Sequence, residues 1–129
     1  NPSSGELQNL PTGDEAVHEY LAQLVEGWAS TALGEKSNLS SIGAVVGATY
    51  PEELKYLRTI MPHVPFLIPG YGSQGGTAQD CKPGFLGDGS GAIVNAARSI
   101  LYASKGKDWQ EAAAKATEAM AEELRKVLA

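Results

Sequence analysis

The sequence predicts an α/β fold with parallel strands, on three observations. Apolar runs of strand character alternate with helical periodicities, in the order helix, strand, helix, strand, glycine-rich loop, strand, helix, helix. The strand starts, near residues 42, 64 and 91, recur every twenty-odd residues with no underlying sequence repeat. The chain is 129 residues long, about half of the roughly 250 that a TIM (β/α)8 barrel needs. Three or four strands cannot close a barrel, and so small an open sheet exposes two apolar edges. Residues 1–129 are therefore expected to be one partial domain, the C-terminal half of a TIM barrel, completed by an N-terminal half absent from this chain.

The first helix lies within DEAVHEYLAQLVEGWASTAL, where Val17, Tyr20, Leu21, Leu24, Val25 and Trp28 fall on one face. Thr12 and Glu15 have the spacing of a capping box, and Gly34 is a stop signal. SIGAVVGA is a short, continuous apolar run, as a parallel strand covered on both faces requires. ATYPEELKYLRTIMP opens a helix with Thr49 as cap, Glu52 as its partner and Pro51 in the first turn. Leu54, Leu57 and Met61 supply its inner face and Pro62 ends it. VPFLIP and GAIVN are the next strands, and AARSILYAS has helical character. In DWQEAAAKATEAMAEELRKVL, Asp108 can cap a helix that turns Ala112, Ala116, Met120, Leu124 and Val127 inward.

Composition narrows the function. A net charge of -5 and a pI near 4.9, with ten scattered basic residues, argue against a nucleic-acid partner. Cys81 is the sole cysteine, so neither an internal disulfide nor a thiolate metal cluster is expected, and a reducing, cytoplasmic setting fits. No apolar run is long enough to span a membrane and no signal-peptide pattern stands at the start. The chain opens NPSSGELQNL, and its only methionines are Met61 and Met120. A processed start, or a piece of something longer, is expected.

Between the second and third strands, the loop from Gly70 to Gly91 holds eight of the fifteen glycines. Loops of that length inside compact domains are usually functional or disordered. Gly70, Gly72 and Gly75 formally spell G-x-G-x-x-G, but TAQDCKPGFLGDGSG cannot supply the long helix that a dinucleotide pyrophosphate needs. No G-K-[ST] follows, which excludes a P-loop. The loop falls at the carboxyl end of a strand, where barrels build their sites, and the next strand ends in Asn95-Ala96-Ala97-Arg98. The last two strand ends of such barrels commonly hold a phosphate. Gln74 can donate through its amide, and Arg98 can grip two phosphate oxygens, although alone it is equally well read as a surface ion-pairing residue. The phosphate reading expects both groups to face one hollow.

PGYGSQGG, followed by a strand and NAARSILYA, resembles the orotidine 5′-phosphate decarboxylases, and GAVVGATYPEELKYLR and NPSSGELQ resemble their longer bacterial-type branch. The resemblance covers essentially the whole chain. It implies that Gln74 and Arg98 hold the 5′-phosphate of orotidine 5′-phosphate or UMP, helped by the backbone N–H at Ala97. Pro69, Gly70 and Tyr71 would line the nucleotide on a mobile loop. The family's serine at the strand end before NPSS would precede Asn1, so Ser3 and Ser4 do not take its role.

The family's chemistry, loss of CO2 from C6 of the pyrimidine and protonation of the carbanion by a lysine, rests on an Asp-x-Lys-x-x-Asp motif and a further lysine. No such spacing stands at a strand end here. Lys36, Lys55, Lys82, Lys105, Lys107, Lys115 and Lys126 read as surface residues, so no catalytic residue is assigned to this chain. The resemblance implies no metal or organic cofactor, a homodimer, and the N-terminal half of the enzyme as partner. His18 and His63 read as partnered or exposed residues rather than ligands. Two rivals share these features: a phosphosugar barrel enzyme such as a hexulose-phosphate synthase, and a noncatalytic nucleotide-binding half-barrel. Fusion of the parent to a phosphoribosyltransferase is left open by these residues.

Overall fold

A computed structural model describes residues 2–129. A 3-10 turn (Pro2–Ser4) leads into the short helix α1 (Gly5–Gln8) and an antiparallel ladder of two two-residue strands, β1 (Pro11–Thr12) and β2 (Glu15–Ala16). The helix α2 (Val17–Ala29) follows, then β3 (Ala44–Val45), α3 (Pro51–Ile60) and β4 (Phe66–Ile68). A single turn α4 (Ala78–Cys81) and a 3-10 turn (Lys82–Gly84) interrupt the glycine-rich segment before β5 (Ala92–Val94). The chain then forms α5 (Arg98–Leu101) and α6 (Trp109–Leu128).

The three later strands form a parallel sheet in the order β3-β4-β5. Each is short, because a run of two or three residues is all that SIGAVVGA, VPFLI and GAIVN devote to the ladder. Ala44, Phe66 and Ala92 make one row across the sheet, and Val45, Leu67 and Ile93 the next. The pleat sends these rows to opposite faces. Phe66 and Ile68 are buried under the helices with Ala22, Ala29, Leu54, Met61, Val64 and Cys81. Val45, Leu67 and Ile93 are 70%, 41% and 68% exposed, so the other face of the sheet is bare. This is a sector of barrel wall: helices outside, an uncovered lumen-side row inside, and β3 and β5 as edges.

Arg58 ties the base of the sector together. Its Nε and Nη2 donate to the Gly84 carbonyl, Nη1 to those of Met61 and Val64, and Nη2 also to that of Gly91, all at 2.7–2.9 Å. These carbonyls end α3, precede β4 and β5, and close the 3-10 turn, so one buried side chain satisfies acceptors from four places. Burial pulls the guanidinium down to about 10, leaving it charged at neutral pH.

Several local expectations change. Thr12 and Glu15 pair across the β1–β2 ladder instead of capping α2; Ala16 occupies the cap position and its N–H donates to Glu19 Oε2 at 2.7 Å. Tyr50, not Thr49, occupies the α3 cap position, with Pro51 beginning the helix. Asp108 occupies the α6 cap position as expected, but its carboxylate accepts from Ser104 Oγ at 2.6 Å and makes no cap bond. Helix α2 ends at Ala29, ahead of Gly34. Its covered face is Ala22, Val25 and Ala29, whereas Tyr20, Leu21, Leu24 and Trp28 are exposed. The small residues let α2 sit close to the core, and the large ones are left uncovered.

Candidate functional site

The site is assembled from three strand ends. Past β3, the Ala48 N–H donates to the Pro69 carbonyl at 2.9 Å, carrying the ladder beyond β4. Past β5, the Asn95 N–H donates to the Ile68 carbonyl at 3.2 Å. Between them, residues 70–76 double back on themselves: Gly76 N–H donates to Gly70 O, Gly72 N–H to Gly76 O and Gly75 N–H to Gly72 O, at 2.8–2.9 Å.

Glycine is required here for two separate reasons. Gly72 has φ 73°, a left-handed conformation, and a Cβ on it would meet Ser99 Oγ at 3.1 Å. At Gly76 the conformation is ordinary, but a Cβ would stand 2.7 Å from the Gly70 carbonyl oxygen, which cannot swing away. The Gly72–Ser99 approach also sets the glycine loop against the start of α5, one residue from Arg98.

Gln74 is exposed and lines a hollow of about 200 Å³ with Ala48, Thr49, Pro51, Gly76 and Asp80. The Asp80 carboxylate accepts from the Thr77 N–H and hydroxyl at 2.9 and 2.7 Å, and these bonds hold it below its usual range. Arg98 is exposed, begins α5 after Ala97, and does not line that hollow. The two groups follow adjacent strands, Gln74 after β4 and Arg98 after β5. Pro69 uses its carbonyl in the ladder, and Gly70 is buried with φ 107°.

Tyr71 departs from the expected arrangement. Its ring packs against the core, and its hydroxyl donates to Glu123 Oε2 of α6 at 2.5 Å. Burial, followed by Glu123, pushes the phenol up to about 12. The side chain is therefore occupied on the helix side of the sheet, which leaves its backbone at the strand end.

A larger cleft of about 380 Å³ opens beside the β3 edge, lined by His18, Leu21, Val25, Val45, Tyr50 and Leu57 among others. None of the proposed phosphate-binding residues lines it. All seven lysines are exposed; Lys115 pairs with Glu111 and Lys126 with Glu122. The His18 ring bonds the Gln8 carbonyl at 2.8 Å, and that of His63 bonds Glu26 Oε1 at 2.5 Å. Cys81 is buried, and that burial pushes its thiol up to about 11, which keeps it protonated at neutral pH. No helix among the described residues is long and apolar enough to cross a membrane.

Sequence reasoning passed over Arg58, Asp80 and Glu123. For Asp80 a signal was present, since Thr77-x-x-Asp80 has capping-box spacing and the structure forms both of its bonds. The partners of Arg58 are backbone carbonyls, which residue types do not reveal.

No family model matches the chain. Curated proteins do. The orotidine 5′-phosphate decarboxylase of Rhodopirellula baltica is 39% identical over 97% of this chain and 44% of its own length. That of Caldicellulosiruptor bescii is 44% identical over 81% of this chain and 34% of its own length. Among solved structures, Leishmania donovani UMP synthase matches with a TM-score of 0.76 at 32% identity, covering 99% of this chain and 26% of that one. The chain thus spans less than half the length of these curated relatives, and shares its sequence and fold with part of the orotidine 5′-phosphate decarboxylases.

Proposed function

We propose that this chain is the C-terminal half of an orotidine 5′-phosphate decarboxylase, converting orotidine 5′-phosphate to UMP and CO2, and that it supplies the phosphate end of the site. The observation that carries the site is the packing of the glycine loop on the start of α5, which sets Gln74 and Arg98 on neighbouring strand ends. A dianion entering between them draws the amide and the guanidinium inward, with the Ala97 N–H as a third donor and Pro69, Gly70 and the Tyr71 backbone beside the nucleotide. Arg98 suits this task because its planar fork matches two phosphate oxygens. The Asp80 carboxylate on the far side of the Gln74 hollow repels an anion, which favours the Arg98 side as the seat of the phosphate.

Binding energy gathered here acts at a distance. A grip on the phosphate that strengthens as the loop closes stabilises the transition state more than the open complex, and so raises the rate. At the pyrimidine, the C6–carboxylate bond breaks, CO2 leaves, and a proton is delivered to C6. The groups for that step belong to the other half of the barrel.

The bare row Val45, Leu67 and Ile93, the two sheet edges, and the exposed Leu21, Leu24 and Trp28 of α2 support the remaining strands and helices of the same barrel as the chain's partner. Leu101, Tyr102 and Trp109, which follow β5 in the chain, are further exposed apolar side chains. A cytoplasmic homodimer completes the proposal. The test is turnover: the purified full-length protein containing this chain should consume orotidine 5′-phosphate and release UMP and CO2. A folded full-length protein that binds neither this substrate nor UMP overturns the assignment.

A further inference from the structure

Residues 70–76 include four glycines, and the two polar side chains among them, Ser73 and Gln74, are exposed. Tyr71 is the one residue of this stretch that reaches into the fold. It lies between two glycines of positive φ, Gly70 at 107° and Gly72 at 73°, and its backbone bridges to Gly76, so the loop's turn-back point is paired directly to it. Its ring packs on the core and its hydroxyl ends on Glu123, 52 positions away on α6. Glu123 itself is exposed. We infer that Tyr71 and Glu123 form a tether that sets the shape of the glycine loop, making both positioning residues for phosphate capture.

The physical reason is entropy. Glycine loses more backbone freedom on ordering than any other residue, so a loop of this composition is ordered only if something outside it holds it. The internal bonds fix the loop's own curl, and the tether ties that curl to α6. Removing it leaves Gln74 and the loop N–H groups intact yet poorly placed.

The inference rests on the decarboxylase reading for its kinetic arm and stands apart from it for its structural arm. In the full-length protein, Tyr71→Phe and Glu123→Ala should each speed amide exchange at Gly72 and Gly76 and raise KM for orotidine 5′-phosphate by about fivefold, the loss of one hydrogen bond of ordinary net strength. The kcat should stay within about twofold, since the tether acts on capture. Glu123→Gln keeps an oxygen acceptor and should restore both readings, and the Tyr71→Phe, Glu123→Ala double variant should be no worse than either single one. Exchange at Gly72 and Gly76 that is unaltered in both single variants overturns the tether, as does a loss confined to kcat. An inactive wild type overturns the decarboxylase reading instead, with the exchange arm still deciding the tether.

Discussion

The guanidinium of Arg58 stands 3.6 Å from the ring centroid of Phe66, so the residue that gathers the carbonyls at the base of the sheet also covers its central strand. The cation is attracted to the ring face while its five N–H groups are spent on carbonyls. Arg58→Met removes the charge, keeps much of the bulk, and strands buried acceptors at Gly84, Met61, Val64 and Gly91. Denaturant unfolding of the full-length protein should show a loss of about 3 kcal/mol or more, given roughly 1–3 kcal/mol for each acceptor left unsatisfied. Arg58→Lys should recover little, because an ammonium lacks the fork that reaches four places. A loss within about 0.5 kcal/mol, ordinary for a surface position, would contradict this role.

Substrate capture is expected to depend on Arg98 more than on Gln74, because one partner is charged and the other neutral. Charge-assisted hydrogen bonds contribute about 1.5–3 kcal/mol each, against about 0.5–1.5 kcal/mol for neutral ones. Steady-state kinetics of Arg98→Ala in the full-length protein should therefore show kcat/KM lowered by at least tenfold, and Gln74→Ala by less. Equal kcat/KM in Arg98→Ala and wild type would remove Arg98 from the phosphate site.

Gly76→Ala adds one carbon at a place where the obstruction is backbone, 2.7 Å away at the Gly70 carbonyl. The neighbouring loop must open to admit it. Calorimetry with UMP should show weakened binding, while global stability falls by about 1–3 kcal/mol, the usual range for overpacking. Gly87→Ala, where nothing lies within 4 Å, is the matched control and should bind normally.

Tyr71 supplies a pH signature. Its folded phenol titrates near 12 against an ordinary value of 10.0. The folded state holds the phenol's proton more tightly than the unfolded chain does, so this contribution is complete below 10.0 and is lost as the pH climbs from there through about 12. Ultraviolet titration of tyrosinate should show a late step that disappears in Tyr71→Phe. If the late step persists in that variant, another tyrosine carries it.

The strands and the long C-terminal helix were legible because their signals are local. Val45, Phe66, Ile68, Ile93 and Val94 lie in apolar runs short enough for only one assignment, and the inward residues of α6 repeat at helical spacing over twenty positions. The facing of α2 was not legible. Periodicity groups Val25 with the bulkier Tyr20, Leu21, Leu24 and Trp28, yet of these five only Val25 packs on the core, beside Ala22 and Ala29. Periodicity reports that a stripe is apolar but not whether the neighbour that covers it lies in the same chain. At the candidate site, residue types at strand ends identified Gln74 and Arg98 as the polar groups available. The path of the loop that carries Gln74 depends on the positive φ angles at Gly70, Gly72 and Gly75, which composition permits but does not set.

The pleat of β4 gives neighbouring codons opposite consequences. Phe66 and Ile68 support the helical layer, so substitutions there should lower the amount of soluble protein whatever the assay. Leu67, between them, belongs to the row shared with Val45 and Ile93, and substitutions there should leave the sector intact while spoiling closure around the lumen. A saturation library across residues 66–68 would therefore separate abundance from turnover with a spacing of one amino acid.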